Sequence, residues 1–357
     1  MTRPKIAVCG WIGSSNLGDD LIADQVAELI REAGAEPTLV TIADEPSVNG
    51  VPTIRHAGAL DTIGLVLALR RHDGLVFGGG GLIQDETGPL NLPFHLTRLA
   101  AGRGLRLPWA CIGLGVGDVR RRSGRLLTRV VARGFVAGSV RDTDSAERYH
   151  ELTGLRPEVG VDPVLALPPQ DVAPTDHLVI SLRPINRPGQ RRLATGASPD
   201  DEQIERWADA IDQVAAATGL SVRFTCFDDT HDQAIHEAVA ARITAPHVLE
   251  RPTTGNVIER VGSSRLVISM RYHGAVSAIV AGRPTLVLDY SPKMAALVDE
   301  IGPGLRRVAP DAPAAELVAG ALSVLKDPPP SSLPNVGGRA EVNRSVIRRL
   351  VKAASER

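Results

Sequence analysis

The sequence is poor in aromatic residues and has no long apolar run, and both absences exclude classes of protein. Phe, Trp and Tyr make up 3% of the 357 residues, which disfavours the stacking surfaces that bind single-stranded nucleic acid. No stretch reaches the roughly 18 consecutive apolar residues of a membrane-spanning helix, and the first apolar run is too short for a secretory signal. We therefore expect a cytoplasmic protein that binds no nucleic acid and that contacts a membrane, if at all, only peripherally at its inner face.

Cysteine and net charge are low as well. The three cysteines, Cys9, Cys111 and Cys226, lie far apart, so neither zinc nor a disulfide framework is predicted. His231 and His236 fall at an acidic helix start and are expected to be solvated, and no histidine spacing indicates a metal site. We thus predict no metal and no cofactor. The formal net charge of −1 means that any anion must be bound by a local cluster of cations.

Short apolar, β-branched runs alternate with amphipathic segments of helix length along most of the chain. Such an alternation predicts βαβ units and parallel, doubly wound sheets. The predicted strands cover residues 6–9, 38–42, 74–77, 109–114, 135–139, 178–182, 222–227, 266–269 and 285–288. The polar, Gly/Pro-rich segment 186–200 is predicted to be a mobile loop.

A stretch rich in Pro and Asp at residues 165–176 interrupts the alternation and predicts a linker. We therefore expect an α/β protein with two Rossmann-like domains, residues 1–168 and 177–327, that face each other across a cleft. A second Pro-rich spacer at residues 328–334 follows. Beyond it, apolar residues recur every four positions and predict a helix over residues 338–357 that packs back on the first domain.

The segment GWIGSSNLGDD, residues 10–20, follows the first strand and precedes the first helix. In a doubly wound sheet this position lies at a carboxyl strand end, where ligands bind, and the start of the helix presents N–H groups to an anion. The segment is neither a GxGxxG nor a Walker A motif. One of its two acids is expected to cap the helix. Asn16, Gly18 and Asp19 are the candidate site residues.

Two further glycine-rich segments follow strands, GGGGLIQD at residues 78–85 and GLGVGD at residues 113–118. Consecutive glycines predict a close approach of the backbone to a ligand, because their conformational freedom is otherwise costly. Close packing within the protein is the alternative explanation. The candidates for contact with an acceptor are Gly79, Gly80, Gly81 and Asp85.

Two arginines end predicted strands, Arg141 in VAGSVRD and Arg183 in LVISLRP. An arginine at a carboxyl strand end points into the ligand cleft, and its planar fork of donors suits a carboxylate or a phosphate. A structural salt bridge is the alternative for either residue.

The segment SMRYHG…YSPK, residues 269–293, combines basic residues with a histidine. Arg271 and His273 are two positions apart and are therefore predicted on the same side of an extended strand end. Lys293 follows the next strand, which places it at the same edge of the sheet. A lone histidine is more often structural than catalytic, but a histidine bracketed by two cations at successive strand ends is interpreted as functional.

In this order, GWIGSSNLGDD, GGGGLIQD, GLGVGD, SVRD, SLRP and MRYHG…YSPK resemble the polysaccharide pyruvyl transferase family, over about residues 6–301. The resemblance implies two Rossmann-like domains of the GT-B type. It also implies transfer of pyruvate from phosphoenolpyruvate to two hydroxyls of a saccharide, which forms a cyclic ketal and releases phosphate. Acceptors in the family are cell-wall, capsular or exopolysaccharide sugars, commonly as lipid-linked precursors.

Roles follow from the same resemblance. His273 corresponds to the family's catalytic histidine, and Asp19 to its N-terminal acid. The four residues at its basic ligand positions are Arg141, Arg183, Arg271 and Lys293. On chemical grounds His273 is the candidate general acid or phosphate partner, since histidine titrates near neutral pH, and Asp19 is the candidate base.

Two other functions fit the same pattern. One is a nucleotide-sugar glycosyltransferase of GT-B type, in which the basic residues would bind a diphosphate. The other is a catalytically inactive, sugar-binding homologue, against which the presence of Arg271, His273, Lys293 and Asp19 argues. The sequence gives no prediction of whether the protein is a monomer or an oligomer.

Overall fold

A computed structural model describes residues 3–44, 48, 50–86, 88–184, 201–330 and 333–357, without the side chains of 333–335. The loop predicted at 186–200 lies outside these residues, and the spacer predicted at 328–334 lies partly outside them. The chain divides into two units. The first comprises Met1–Ser14, Asp19–Ala166 and Val336–Arg357, and the second comprises Ser15–Gly18 and Leu167–Asn335.

The first unit contains a seven-stranded parallel sheet with the strand order β3-β2-β1-β4-β5-β6-β7. Up to residue 166 the elements are β1 (Lys5–Cys9), α1 (Leu17–Glu32), β2 (Glu36–Thr41), β3 (Thr53–Arg55), a 3₁₀ turn (Ala59–Asp61), α2 (Thr62–Leu69), β4 (Gly74–Ile83), α3 (Asn91–Gly104), β5 (Trp109–Val116), α4 (Arg122–Val131), β6 (Ala137–Val140), α5 (Thr143–Thr153), β7 (Glu158–Val159) and a second 3₁₀ turn (Pro163–Ala166).

The second unit repeats this plan with a six-stranded parallel sheet in the order β10-β9-β8-β11-β12-β13. Its elements are β8 (His177–Ser181), α6 (Asp201–Thr218), β9 (Ser221–Thr225), α7 (Gln233–Ala240), β10 (His247–Glu250), α8 (Val257–Gly262), β11 (Leu266–Ser269), α9 (Tyr272–Val280), β12 (Thr285–Leu288), α10 (Pro292–Ile301), β13 (Leu305–Val308) and α11 (Ala314–Val324). The long helix α12 (Leu333–Ser355) follows.

The central strands are continuous apolar runs because helices cover both faces of a parallel sheet. Strands β8, β11 and β12, with the sequences HLVIS, LVIS and TLVL, are buried along their whole length. In both units the strand order reverses beside the first strand, as in doubly wound nucleotide-binding folds. The predicted fold class, α/β with two Rossmann-like domains, is confirmed.

The strands that the sequence did not reveal lie at or near the sheet edges. β3, β7 and β10 are short, and their residues are mostly exposed or half-buried. Edge strands need no continuous apolar run, since part of their surface faces water. For the same reason β13, with the sequence LRRV, keeps two exposed arginines between its buried ends.

The last helix, α12, belongs to the first unit from Val336 onward. On it Asn343 is completely buried, and its side chain joins two segments. Ser139 Oγ donates to Asn343 Oδ1 at 2.7 Å, and Asn343 Nδ2 donates to the carbonyl oxygen of Val161 at 2.8 Å. Ser139 Oγ in turn accepts the backbone N–H of Gly113 at 3.1 Å. The helix is therefore fixed to the sheet by a buried polar chain.

Asn343→Ala should lower the free energy of unfolding of the first unit by about 1–3 kcal/mol, because it leaves two buried polar groups without a partner. In a Trp207→Phe background the remaining tryptophans, Trp11 and Trp109, lie in the first unit. Urea unfolding followed by their fluorescence measures the change. The exposed Lys352→Ala on the same helix is the control. Equal midpoints for the two variants would contradict the role of Asn343.

Candidate functional site

Charged side chains follow four neighbouring strands of the second unit, where each strand reaches its carboxyl end. Strands β9, β8, β11 and β12 lie side by side in the sheet. The side chains that follow them are Asp228 and Asp232 after β9, Arg183 after β8, Arg271 and His273 after β11, and Tyr290 and Lys293 after β12. Parallel pairing brings these residues to one edge, which is the usual ligand edge of such a sheet.

Arg271 forms a buried ion pair within this edge. Its Nε donates to both carboxylate oxygens of Asp232, at 2.8 and 3.0 Å, and its Nη2 contacts Asp232 and lies 3.3 Å from Asp228 Oδ2. Burial raises the pKa of Asp232, and Arg271 opposes that rise. Burial also lowers the pKa of Arg271, but the two carboxylates more than offset this, so its pKa is raised. Arg271 is thus cationic but largely neutralised by its neighbours.

His273 lies in the first turn of α9, and Arg271 is the residue that precedes the helix. The prediction that both occupy an extended strand end was wrong, because β11 ends at Ser269. The ring of His273 packs against Gly18, where an added Cβ would lie 2.1 Å from His273 Nδ1. Only glycine fits there. The N–H of Gly18 donates to Asn16 Oδ1 at 3.1 Å, so Asn16 and Gly18 form the local surface beside the histidine.

Tyr290 lies at the centre of three cations. Arg183 Nη1 donates to the hydroxyl oxygen of Tyr290 at 3.0 Å, and the Arg183 guanidinium carbon lies 4.8 Å from the centre of the Tyr290 ring. Burial alone would raise the pKa of Tyr290, but the charges of Lys293, Arg183 and Arg271 lower it from 10.0 to about 7. An acidified phenol marks a place where negative charge is stabilised. We call Arg183, Arg271, Tyr290 and Lys293 the basic cluster.

Two helix N-termini add to the positive potential at this edge. Helices α9 and α10 begin directly after β11 and β12, and the side chains of the preceding Arg271 and Ser291 do not cap them. The first N–H groups of a helix carry a partial positive charge and bind anions. His273 and Lys293 each occupy the second position of such a helix.

His236 is buried on α7, contrary to the prediction that it is solvated. Its Nε2 accepts the N–H of Leu182 at 2.9 Å. Burial and then the charge of Arg271 lower its pKa to about 3, so the ring is neutral. The prediction failed because the acids that precede His236 in the sequence, Asp228 and Asp232, are themselves buried in ion pairs with Arg271. His236 fixes the backbone that carries Arg183.

In the first unit the two acids at the start of α1 have different surroundings. Asp20 is buried and accepts the N–H of Gly13 at 2.8 Å, which closes the turn after β1. Asp19 is half-buried and lies over Gly80 of β4, where an added Cβ would stand 2.7 Å from Asp19 Oδ1. The prediction that one of the two acids caps the helix was wrong, because α1 begins at Leu17 and both acids lie inside its first turn. The residue before the helix, Asn16, accepts the N–H of Gly18 instead.

The four consecutive glycines belong to β4 rather than to a turn after it. Gly79 and Gly80 have φ values of +81° and +78°, and an added Cβ on Gly79 would lie 2.0 Å from Ile22 Cγ2. Close packing of α1 on the strand explains these two positions. Gly81 is exposed, and nothing lies within 4 Å of the place where its Cβ would be.

The carboxylate of Asp85 has a structural role in the loop before α4. Its carboxylate accepts the N–H groups of Arg120 and Arg121 at 3.0 and 2.8 Å, and so fixes the loop before α4. Burial would raise the pKa of Asp85, but these N–H groups outweigh it and the pKa is lowered.

Arg141 lies in the first unit, where its Nε donates to Asp142 Oδ2 at 3.0 Å. The structure therefore groups Arg183, Arg271 and Lys293 in one unit and Arg141 in the other.

The sequence analysis missed Tyr290, Asp228 and Asp232 as parts of the site. Tyr290 belongs to YSPK, and its lowered pKa depends on Lys293 of the same motif and also on Arg183, which is 107 positions away. The two aspartates follow β9 in DDTHD, and such an acidic group after a predicted strand is the signal that could have revealed them.

The described residues contain neither a candidate metal site nor a helix that could span a membrane. Nowhere in the described ranges do three or more His, Cys, Asp or Glu side chains stand close enough to hold a metal ion. In the same part of the chain, no helix combines the length and apolar character needed to cross a membrane.

Solved structures share the fold at low sequence identity. The UDP-GlcNAc 2-epimerase of Methanocaldococcus jannaschii, in complex with UDP-GlcNAc and UDP, has a TM-score of 0.62 and 10% identity, covering 97% of this chain and 99% of its own. MnaA of S. aureus with UDP has a TM-score of 0.59 and 12% identity over 91% and 88%. TcCGT1 in complex with UDP has a TM-score of 0.58 and 10% identity over 99% of both chains. These likenesses show the GT-B-type fold and nothing further.

No curated protein matches the chain significantly. The model of one family, "Polysaccharide pyruvyl transferase", matches residues 16–292, which is more than half of the chain. This span contains His273, the basic cluster except Lys293, the end of the segment 10–20, and the glycine-rich segments 78–85 and 113–118. The motif resemblance is confirmed, and the chain belongs to the polysaccharide pyruvyl transferase family.

Proposed function

We propose that this protein transfers pyruvate from phosphoenolpyruvate to two hydroxyls of a saccharide, forms a ketal and releases phosphate. The observation that carries the proposal is the basic cluster with its acidified Tyr290. Phosphoenolpyruvate carries a carboxylate and a phosphate on neighbouring atoms. It therefore needs several donors and positive charges in one place, together with a proton donor for its methylene carbon.

The cations of the basic cluster differ in whether a carboxylate already pairs with them. Arg271 is held by Asp232 and Asp228 and serves mainly to fix the edge of the sheet. Arg183 and Lys293 have no ion pair with a carboxylate among the described residues, although both act on Tyr290. We assign Arg183, Lys293 and the N-termini of α9 and α10 to the phosphate and the carboxylate of the donor.

The chemistry balances with one donor and two hydroxyls. One proton adds to the methylene carbon of phosphoenolpyruvate, which becomes the methyl group of the ketal. Two bonds form between the central carbon and sugar oxygens, and the bond from that carbon to the phosphate oxygen breaks. Of the two hydroxyl protons released, one replaces the proton given to carbon and the other leaves with phosphate.

His273 is assigned to deliver the proton to carbon. It lies in the first turn of α9, two residues after Arg271, and Gly18 supports its ring. An imidazolium can donate a proton to carbon as a general acid.

Asp19 is assigned to accept a proton from the sugar hydroxyl. It is the half-buried acid at the start of α1 that does not close the turn, since Asp20 does. A saccharide would approach the backbone at the exposed Gly81. Arg141, beside Asp142, is assigned a supporting role in anion binding.

The acidified tyrosine gives a direct optical test. A pH titration of tyrosinate absorbance should show one of the three tyrosines ionising near pH 7. Burial raises the pKa of Tyr149 well above 10.0, so it does not interfere. Phosphoenolpyruvate should move the step to higher pH, because the bound anion offsets the cations that lower the pKa of Tyr290. The step must vanish in Tyr290→Phe; a step that ignores phosphoenolpyruvate would contradict donor binding there.

Calorimetric binding separates this function from the nucleotide-sugar alternative. Phosphoenolpyruvate should bind saturably, and Lys293→Gln should weaken it about 10- to 100-fold through loss of a charged contact. Lys326→Gln, an exposed lysine of the same unit, is the control. If UDP-, GDP- or CDP-sugars bind and phosphoenolpyruvate does not, the protein is a glycosyltransferase. Arg271 is unsuitable for this test, since its removal leaves two buried carboxylates side by side.

Turnover is measured as phosphate release from phosphoenolpyruvate with a panel of saccharide acceptors. His273→Ala and Asp19→Asn should each lower kcat by roughly 10²- to 10⁴-fold, as expected for loss of a general acid or base. The matched controls are His247→Ala, an exposed histidine, and Asp24→Asn, a half-buried acid on α1. Near-full turnover in either test variant removes the role assigned to that residue.

A further inference from the structure

One stretch of the first unit is rich in arginine although the whole chain is nearly neutral. Between residues 88 and 141 the chain contains ten arginines and one acidic residue, Asp118, whereas the formal net charge of the protein is −1. Six of these arginines lie on or beside α4, at positions 120, 121, 122, 125, 129 and 133, and all six are exposed. Positive charge is thus concentrated on one helix.

Helix α4 separates a buried stripe from an exposed face. Gly124, Thr128 and Val131 face the core. The exposed face carries apolar side chains between its arginines, with Leu126 64% and Val130 61% exposed. No carboxylate among the described residues pairs with the arginines at 122, 125, 129 and 133. The helix therefore has the composition of an interfacial helix, with apolar and cationic groups side by side.

A second apolar surface lies on α2 and its preceding turn. Leu60 is 98%, Ile63 76% and Leu67 53% exposed, while Leu65 and Leu69 fill the core. The helix, TIGLVLAL, contains no charged residue, and it is followed by the exposed Arg70 and Arg71. So much exposed apolar surface on one short helix is unusual for a surface that faces only water.

The two surfaces lie on the same side of the sheet. Helix α3 packs against α2, against α4 and against strands β1 and β4, so the three helices form one layer. The exposed side chains of a layer point away from the sheet that it covers. Leu90, at the start of α3, is 76% exposed and adds to the apolar surface between α2 and α4. We call the exposed side chains of residues 60–71, Leu90 and residues 120–133 the outer face.

We propose that the outer face binds an anionic lipid surface, with its leucines in the interface and its arginines on the headgroup phosphates. Both chemistries are needed for such binding: apolar side chains gain by leaving water, and cations gain from the negative surface potential. The proposal does not rest on pyruvyl transfer. For an enzyme of this family, it would hold the first unit where a lipid-linked saccharide is available.

Charge decides between this partner and two others. A second copy of the chain would bring the arginines of two outer faces together, and their repulsion opposes pairing. A nucleic acid would satisfy the arginines but would leave the exposed side chains of Leu60, Ile63 and Leu67 in water. A membrane of anionic lipid satisfies both groups at once.

Vesicle co-sedimentation of the full chain tests the proposal. Vesicles of phosphatidylcholine with phosphatidylglycerol should bind the protein at low salt, and vesicles of phosphatidylcholine alone should bind it much less. The triple variant Arg122→Glu, Arg125→Glu and Arg129→Glu should bind about 100-fold or more weakly. Ile63→Ser with Leu67→Ser should bind at least about tenfold more weakly.

Each variant has a matched control in the second unit. Arg251→Glu, Arg260→Glu and Arg265→Glu reverse as many exposed charges, and Val248→Ser with Leu249→Ser removes two half-exposed apolar side chains from β10. Circular dichroism verifies that all variants are folded. Both controls should bind vesicles like the unaltered protein.

Three results would overturn the proposal. The first is absence of vesicle binding, or binding that the controls reduce as much as the outer-face variants. The second is a dimer in sedimentation velocity that the Ile63→Ser, Leu67→Ser variant dissociates, which would assign the face to a second copy. The third is tight binding to a DNA duplex at the same ionic strength without binding to vesicles.

Discussion

The second unit depends on a guanidinium and two carboxylates that leave water together. Arg271 follows β11 while Asp228 and Asp232 follow β9, and the pair spans the strand between them. Removing one partner of a buried ion pair typically costs about 3–5 kcal/mol, because the other charge remains buried. The pair therefore fixes the loops on which the neighbouring ligand-binding groups are placed.

This fixed edge separates structural charge from charge available to a ligand. The carboxylates neutralise Arg271, so the net positive charge at the edge comes from Arg183, Lys293 and two helix N-termini. Tyr290 reports that charge through its lowered pKa. A site that is positive before the donor arrives needs little rearrangement to bind it, which is the physical basis of electrostatic preorganisation.

The first unit uses close packing where the second uses charge. Gly79 and Gly80 let α1 approach β4, and Asp20 closes the turn before that helix. These contacts orient the helix start that carries Asp19. The arginines on and beside α4 lie on another surface of the same unit, the exposed side of the helix layer that covers the sheet.

The alternation of apolar runs and helical segments was enough to predict two parallel α/β units, because strands covered on both faces must be continuously apolar. The short edge strands β3, β7 and β10 escaped prediction, since they lack that requirement. The ordered motifs also identified the family, which needs only residue types and their order. What the sequence by itself determined is therefore the fold class, the family and the list of chemically capable residues.

Only the tertiary structure decided which of those residues form structural ion pairs and hydrogen bonds. Arg271 is held by Asp232, 39 positions away, and Asp85 is held by the loop before α4. Tyr290 accepts a hydrogen bond from Arg183, which lies 107 positions from it. Parallel crossovers bring such distant residues to one edge, and burial then sets which charges are neutralised. Neither effect depends on local sequence, so neither could be read from the motifs alone.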